Sequence, residues 1–476
     1  MTLASSAVWA ASDTPNIILV MADDLGYGDV GYAGNPTVQT PHLDAMASEG
    51  IRLNRFYAAA PVCSPTRASC LTGRHPYRMN MPWASDGSLP EEEHTIGEML
   101  QQAGYATGHF GKWHVGSLSK TVKQSYFPGP VDPTTYAPPW DHGFDVCFST
   151  ESMMPTFNPY YHVGGDYGAE DYRNVQNVPV AIGQRTGGFR WRDSYWTGPG
   201  EIHDEWLEGD DSKIIMDRAL DFIQRKSAQE QPFLSLIWFH TPHTPIVGGD
   251  KDRAAYNGME MEAQHWYGCI SAMDRQIGRL RAELRRLGIA DDTLLWFCSD
   301  NGPSYIHDWN SSGGLRGKKG SLYEGGIRVP AIVEWPSRLT ESKEVETPLT
   351  TSDILPTIQS ALRLKQMERP YDGIDVLSIL SGNQDKRGVP IGFQSPLRGA
   401  RWEKQEGKES MALVADRFKL LSIDGGTSFQ LYDLIQNPAE TIDVGANYPE
   451  ILTEMIADLR QWMESCSASS IGEDYR

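Results

Sequence analysis

Short, continuous apolar runs constrain the fold of this chain more than any other feature. Each run lacks the polar alternation of a strand with one exposed face, which is typical of strands buried inside a parallel sheet. The runs are Asn16 to Met21, Phe233 to Phe239, Thr293 to Cys298 and Val329 to Glu334. Helical patterns lie between them, at Thr95 to Ala103, Lys213 to Lys226 and Glu262 to Leu287. This alternation predicts an α/β fold in which a large mixed, mostly parallel sheet is sandwiched by helices.

The length of the chain allows more than one structural unit. Its 476 residues, 40% of them hydrophobic, suffice for a large core and a smaller appended unit. The pattern changes after Gly382, which predicts a main domain over residues 13–382 and an α+β C-terminal subdomain over residues 383–476, with a small antiparallel sheet and a terminal helix. Residues 124–206 form a predicted insert, whose frequent Tyr and Trp rings could stack on sugars or pin a long loop to the core.

Charge and composition exclude several classes of partner. The net charge of -20 argues against nucleic acid or an anionic membrane, and no apolar stretch of about 18 residues predicts a membrane span. Residues 1–12 resemble the end of a truncated signal peptide without its basic region, which predicts a periplasmic or secreted protein, with a disordered start as the alternative. Six cysteines lack Cys-x-x-Cys spacing, so a zinc ribbon is not expected, whereas one or two disulfides stay open.

Polar clusters follow three of the predicted strands. They are Asp23-Asp24, His240 to His243 and Asp300-Asn301. Because ligands bind beyond the carboxyl ends of strands in open parallel sheets, we expect the clusters to share one edge. The four oxygen donors suit a hard cation, calcium better than zinc, although helix capping and turn formation explain each pair taken alone. A zinc site at the two histidines is disfavoured because Pro242 interrupts the helix that such a pair needs.

Cys63 is the first candidate for a reactive side chain. It precedes Pro65 and a helical pattern that starts near Thr66. Its side chain is therefore expected at a helix N-terminus, where the helix dipole favours negative charge and anions bind well. On residue type alone, Cys63 is either a buried structural thiol or a thiolate nucleophile.

The sequence around Cys63 resembles that of a known family. Cys63-Ser64-Pro65-Thr66-Arg67, continued by Leu71-Thr72-Gly73-Arg74, is similar to the modification signature of the formylglycine-dependent (type I) sulfatases of the alkaline phosphatase superfamily. The resemblance implies that a formylglycine-generating or anaerobic maturation enzyme oxidises Cys63 to formylglycine (3-oxoalanine). It also implies that residues 13–382 form the catalytic domain of a sulfatase acting on sulfate esters through a sulfo-enzyme intermediate.

Other segments extend the resemblance over nearly the whole chain. They are Gly104 to His114, Pro242 to Pro245, Leu315 to Gly326, Thr351 to Thr357 and Leu431 to Glu440. The resemblance implies a Ca²⁺ site, with Mg²⁺ as the alternative ion, and its ligands are Asp23, Asp24, Cys63, Asp300 and Asn301. The implied catalytic residues are Cys63, Arg67, Lys112, His114, His243 and Lys319. Lys318 competes with Lys319 for its role, and His240 is a candidate for supporting the site.

The implied chemistry gives each catalytic residue a task. Lys112 and Lys319 neutralise sulfate oxygens, while Arg67 holds residue 63. His243 protonates the leaving alcohol and His114 removes the proton that releases sulfate.

Two other functions remain open at this point. A phosphonate or phosphate ester hydrolase could use the same scaffold, and an unmodified Cys63 would leave a carbohydrate-binding protein. The predicted substrate is a sulfated saccharide or polysaccharide, because the insert is rich in Trp and Tyr.

Overall fold

The computed structural model describes residues 14–126, 130–159, 161–163, 188–190, 193–203, 205, 207–304, 310–365, 369–398 and 404–475. The predicted signal remnant at residues 1–12 and much of the predicted insert lie outside this part of the chain.

The main sheet of the described chain has ten strands, and its centre is parallel. In spatial order the strands are β14 (Lys343–Val345), β2 (Ile51–Leu53), β13 (Ala331–Glu334), β11 (Thr293–Ser299), β1 (Asn16–Ala22), β10 (Phe233–Trp238), β4 (Ala106–Lys112), β5 (Val146–Thr150), β8 (Trp196–Gly198) and β9 (Glu201–Ile202). Strand β1 pairs in parallel with both β10 and β11, while β13, β8 and β9 join antiparallel. The predicted mixed, mostly parallel sheet is confirmed.

Helices cover both faces of this sheet. The α-helices of the described residues are α1 (Pro41–Glu49), α2 (Cys63–Thr72), α3 (Ile96–Gln102), α4 (Asp211–Ala228), α5 (Asp250–Arg253), α6 (Met261–Leu287), α7 (Glu324–Ile327), α8 (Ile354–Ala361), α9 (Leu377–Leu380) and α10 (Pro449–Ser470). Along β1, Ile17 and Leu19 pack into a core with α2, α3 and α8, while Ile18 and Val20 pack into a second core with α1, α4 and α6. Alternating side chains of one apolar strand thus fill both layers, as expected for a strand buried on both faces.

One predicted strand is wrong in its continuity and direction. The run from Val329 to Glu334 breaks at Pro330, which has no N–H to donate to a sheet. Its first part is β12 (Arg328–Val329), in a three-stranded sheet with β3 (Phe56–Tyr57) and β15 (Leu349–Thr350). Its second part, β13, runs antiparallel to β11, so the central block of parallel strands ends at β11.

A separate antiparallel sheet follows near the C-terminus. It contains β16 (Ile391–Arg398), β17 (Lys404–Val414), β18 (Phe418–Ser422) and β19 (Gln430–Asp433). Helix α10 packs on one face through Met455 and Leu459, and the other face packs on Tyr57, Leu322 and Ile327. Short strands β6 (Tyr161–Val163) and β7 (Gly188–Arg190) form a separate antiparallel pair. The domain boundary near residue 382 stays a prediction.

Buried charges join the antiparallel sheet to the main body. Lys419 Nζ lies 3.0 Å from Glu324 Oε1 and 2.9 Å from Glu440 Oε1, and all three side chains are fully buried. Tyr57 donates a hydrogen bond of 2.9 Å to the second oxygen of Glu324. Since an unpaired buried charge is costly, these groups fix the position of helix α7 against β18.

Two expectations about the whole chain can be compared with the structure. All six cysteines are free and buried, so the disulfides left open by the sequence do not form here. Among the described helices, we find none with the length and apolar character needed to cross a bilayer.

Candidate active site

Cys63 begins helix α2, directly after the extended residue Val62. The helix starts three residues earlier than the sequence predicts, because Pro65 falls in the first turn, where its missing N–H is tolerated. The Cys63 side chain is 2% exposed. Its sulfur and carboxylate oxygens of Asp23 and Asp300 lie within 4.8 Å of one another.

Strand register brings the carboxylates together. Ala22 at the end of β1 pairs with Ser299 at the end of β11, so the residues that follow leave the sheet at the same level. The Asp24 N–H donates to Asp300 Oδ1 at 3.1 Å, and the Asn301 amide donates to Asp24 Oδ1 at 2.7 Å. Asp24 has a φ of 64°, in a left-handed region that aspartate adopts more readily than most residues.

Three cations balance these carboxylates. Lys112 Nζ lies 2.7 Å from Asp23 Oδ2, and Lys319 Nζ lies 2.6 Å from Asp24 Oδ1. Arg67 donates from Nε and Nη2 to Asp300 Oδ2 at 3.0 and 2.7 Å, and its Nη1 donates to the Lys112 carbonyl at 2.9 Å. Helix α2, strand β4 and the segment before α7 therefore each bring one positive charge to the site.

Burial and these charges set the ionisation of the site. Burial would raise the pKa of Asp24, but Lys319, His243 and Lys112 outweigh it and hold that pKa below its usual range. Burial and the adjacent Asp23 raise the pKa of Asp300, although Arg67 opposes them. Burial also raises the pKa of the Cys63 thiol, more than the two lysines lower it. An unmodified Cys63 is therefore a protonated thiol at neutral pH.

Two predicted histidines face the same cluster. His243 Nδ1 donates to the Thr244 carbonyl at 2.7 Å, which leaves Nε2 3.8 Å from Asp24 Oδ2. His114 follows β4 with a φ of 57°, and its Nε2 lies 3.2 Å from Ser85 Oγ. Burial is the largest cause, and the charge of Lys112 the second largest, of a lowered pKa in both imidazoles. The pKa of His243 falls to about 3, and both rings are therefore neutral in the ligand-free protein.

The structure separates the remaining candidates. Lys318 is exposed, whereas its neighbour Lys319 reaches Asp24. His240 is buried between Thr150 Oγ1 and Asp211 Oδ2, each 2.7 Å from a ring nitrogen, and so supports the wall behind the site.

Ser85 is a site residue that the sequence analysis missed. Besides contacting His114, its N–H donates to Ser64 Oγ at 3.1 Å, beside Cys63. A serine in an irregular loop carries no pattern that could have predicted this contact.

Comparison with known proteins identifies the family to which this site belongs. The sequence model of the family described as Sulfatase matches residues 15–364, well over half of the chain. The chain belongs to the sulfatase family. This sulfatase is thus a sulfuric ester hydrolase, and the predicted family is confirmed.

Individual relatives agree with this assignment. The sulfatase is 31% identical over 402 residues to N-acetylgalactosamine-6-sulfatase of Canis lupus familiaris, covering 79% of this chain and 67% of the relative. It is 32% identical over 443 residues to Steryl-sulfatase of Mus musculus, covering 82% and 69%. A crystal structure of Ps i-CgsB in complex with k-i-k-neocarrahexaose matches with a TM-score of 0.76 at 25% identity, covering 95% of this chain and 93% of that chain.

The donor atoms of the sulfatase fit a hard divalent cation. Asp23 Oδ1 and Asn301 Oδ1 are buried and accept no hydrogen bond from any residue that the structure describes. Such oxygens cost free energy unless a ligand satisfies them. Carboxylate and amide oxygens are the ligands that Ca²⁺ prefers, and Mg²⁺ accepts the same atom types.

We expect calcium to stabilise the folded sulfatase through these oxygens. At a free Ca²⁺ concentration a hundredfold above its dissociation constant, the stabilisation is about 2.7 kcal/mol, because the ion binds only the folded state. Asp23→Asn should lose most of this gain, since it removes one charged ligand. Thermal unfolding of metal-stripped protein, with and without added Ca²⁺, measures the stabilisation of the parent protein and its loss in the variant.

Asp217, a half-exposed residue of helix α4 that pairs with Lys213 and Arg279, supplies the control. Asp217→Asn should keep the full response to Ca²⁺. An equal response in Asp23→Asn and the parent protein would contradict the site.

Proposed function

We propose that this sulfatase cleaves sulfate esters of saccharides, using a formylglycine made from Cys63 and a bound Ca²⁺, with Mg²⁺ as the alternative ion. The observation that carries the proposal is the placement of Cys63 at a helix N-terminus, with its sulfur within 4.8 Å of the Asp23 and Asp300 oxygens. Lys112 and Lys319 pair with the carboxylates of the same cluster.

Conversion of Cys63 is supported by the state of the unmodified thiol. Burial keeps that thiol protonated, so it would be a weak nucleophile. When residue 63 is formylglycine, its hydrated aldehyde supplies one hydroxyl for attack on sulfur and a second whose deprotonation releases sulfate. Because residue 63 is buried in the folded chain, the maturation enzyme must act before folding is complete.

The cation would be held by residue 63 and four oxygen-bearing side chains: Asp23, Asp24, Asp300 and Asn301. It supplies positive charge that polarises the ester and favours the anionic nucleophile. Arg67 holds Asp300 through two hydrogen bonds to one oxygen and so keeps that ligand in place.

Lys112 and Lys319 bind the sulfate oxygens in this proposal. Each ammonium group already lies in the cluster, on a flexible side chain that can turn from a carboxylate to an anionic ligand. A positive charge held against the sulfate typically contributes about 3 kcal/mol to the stability of a transition state.

The two adjacent lysines provide a matched test of this role. Lys319→Ala should lower kcat/KM on 4-nitrophenyl sulfate by about 10²-fold, because a buried charge is lost from the site. Lys318→Ala, one residue away but exposed, should change kcat/KM little. Steady-state kinetics compare the two, and equal losses would show that Lys319 has no special role.

Two histidines move protons. His243 presents Nε2 to the site because its Nδ1 is occupied by the Thr244 carbonyl. A bound sulfate offsets the charges of Lys112 and Lys319, which favours protonation of His243 and lets it donate to the leaving alcohol. His114, held by Ser85, accepts the proton whose removal releases sulfate.

The leaving-group dependence of turnover tests the role of His243. His243→Ala should lower kcat by about 10²- to 10⁴-fold on a sulfated sugar, because a sugar alkoxide leaves poorly without a proton. The loss should be much smaller on 4-nitrophenyl sulfate, since 4-nitrophenolate is a stable anion. Equal losses on both substrates would assign His243 a role other than proton donation.

The choice of saccharide as substrate is supported by similar proteins. One relative is named for a sulfated amino sugar, and one structural neighbour is in complex with the oligosaccharide k-i-k-neocarrahexaose, although another relative is named for steryl sulfates. Export from the cytoplasm, as predicted from residues 1–12, is consistent with such a substrate.

Comparison of esters tests the reaction itself. We expect turnover of 4-nitrophenyl sulfate and of sulfated di- and oligosaccharides, and much slower turnover of 4-nitrophenyl phosphate. A strong preference for phosphate or phosphonate esters would overturn the proposed activity in favour of a phosphorus-directed hydrolase on the same scaffold.

A further inference from the structure

A groove of about 610 Å³, lined by both polar and apolar side chains, lies beside helix α10, and none of the residues of the cluster around Cys63 lines it. It is bordered by the turn at Pro76–Met79, by strands β16 and β17, and by the last turns of α10. Tyr77 and Gln394 form part of its wall, and both hydrogen bond to Glu409, at 3.4 and 2.6 Å. Lys408 is exposed at its rim. A volume of this size accommodates a small organic ligand or a few sugar units.

One part of the groove lining is close in the chain to the active site. Pro82 and Pro396 are among the lining residues. Ser85, which contacts His114, follows Pro82 by three residues, and three residues of extended chain span at most about 11 Å. Next to Pro82, Arg398 lies over the Trp83 ring at 5.0 Å. The lining of the groove therefore comes within a short distance of Ser85 and of the histidine that Ser85 contacts.

Arg398 at this junction has capacity to bind an anion. Its only ion pair among the described residues is a long one of 3.5 Å with the half-exposed Asp86. Its Nε is buried and donates to no residue that the structure describes. A guanidinium group with an unused donor fits a sulfate or carboxylate group on a ligand.

The wall of the groove fits sugars better than an apolar ligand. Asn80 and Gln394 offer amide groups for hydroxyls, while Tyr77, Pro82 and Met463 offer apolar surface for the C–H faces of sugar rings. The Glu409 carboxylate accepts hydrogen bonds from Tyr77 and Gln394, so its oxygens are held against the wall of the groove. Lys408 at the rim adds a positive charge.

We propose that this groove is a second carbohydrate-binding site, continuous with the active site, which holds sugars remote from the ester being cleaved. Arg398 binds an anionic substituent of the saccharide at the near end, and Lys408 binds another along the rim. The inference rests on the proposed function, because it requires a sulfated oligosaccharide substrate. It predicts that the enzyme acts more efficiently on longer chains.

Substrate length and charge-removing variants test the groove. We would measure kcat/KM for 4-nitrophenyl sulfate and for sulfated di- and hexasaccharides from carrageenan, chondroitin sulfate and heparan sulfate. For at least one series, kcat/KM should rise from disaccharide to hexasaccharide. In Arg398→Gln and in Lys408→Gln, the ratio of hexasaccharide to 4-nitrophenyl sulfate kcat/KM should fall about tenfold, as expected for one lost charged hydrogen bond.

The exposed Arg286, near the C-terminal end of helix α6, supplies the matched control. Arg286→Gln should keep the parent ratio. Because Lys408 is exposed, its variant tests the groove even if Arg398→Gln fails to fold. Two results would contradict the role of the groove in sugar binding and leave the proposed activity standing. One is turnover of saccharides with no increase of kcat/KM with chain length, and the other is an unchanged hexasaccharide to 4-nitrophenyl sulfate ratio in both variants. Absence of sulfate release from every substrate would overturn the proposed function and the groove with it.

Discussion

Three buried carboxylates are balanced by three cationic side chains at the carboxyl edge of the main sheet, and the rest of the site depends on this balance. Arg67 and Lys112 are buried, and Lys319 is mostly buried. Asp23, Asp24 and Asp300 could not be buried without partners, because an isolated buried charge costs several kcal/mol. Each partner comes from a different part of the chain, so satisfying the carboxylates also fixes helix α2, strand β4 and the Lys319 segment. A divalent cation added to this neutral set would leave excess positive charge, which suits an anionic ester and an anionic nucleophile.

The antiparallel sheet near the C-terminus completes the site from behind. Glu440 accepts a hydrogen bond of 2.6 Å from the Glu324 N–H, and its carbonyl accepts one of 3.0 Å from Arg316. Lys419 joins Glu324 to Glu440 in the interior. The segment that carries Lys319 is therefore held at both ends by Glu440, which follows β19, and at its C-terminal end also by Lys419 of β18. This arrangement explains why the catalytic body and the C-terminal sheet need to pack as one unit.

Much of this architecture could be predicted from the sequence, for physical reasons. Apolar runs mark strands buried on two faces, and the acidic residues after β1 and β11 meet because parallel strands share an edge. Thr95 and Glu98 form the capping box that starts α3 where its pattern begins. Pro330 marks the point where the run from Val329 to Glu334 divides into two strands. The apolar residues around it are nevertheless typical of one continuous buried strand.

Features that depend on irregular backbone could not be predicted. A shift of one residue in a loop decides whether Lys318 or Lys319 faces the carboxylates, and no periodicity governs that loop. Ser85 reaches His114 through a turn that has no sequence pattern. The roles of individual site residues also rest on resemblance to a family, since residue type alone left Cys63 as either a structural thiol or a nucleophile.

The mass of the peptide that contains residue 63 tests the central claim most directly. Sulfatase should be purified with and without co-expression of a maturation enzyme, and each preparation assayed on 4-nitrophenyl sulfate before digestion and mass spectrometry. The account predicts an aldehyde in place of the thiol, with specific activity proportional to the converted fraction. Full activity from a preparation in which every copy of the peptide retains the thiol would contradict it.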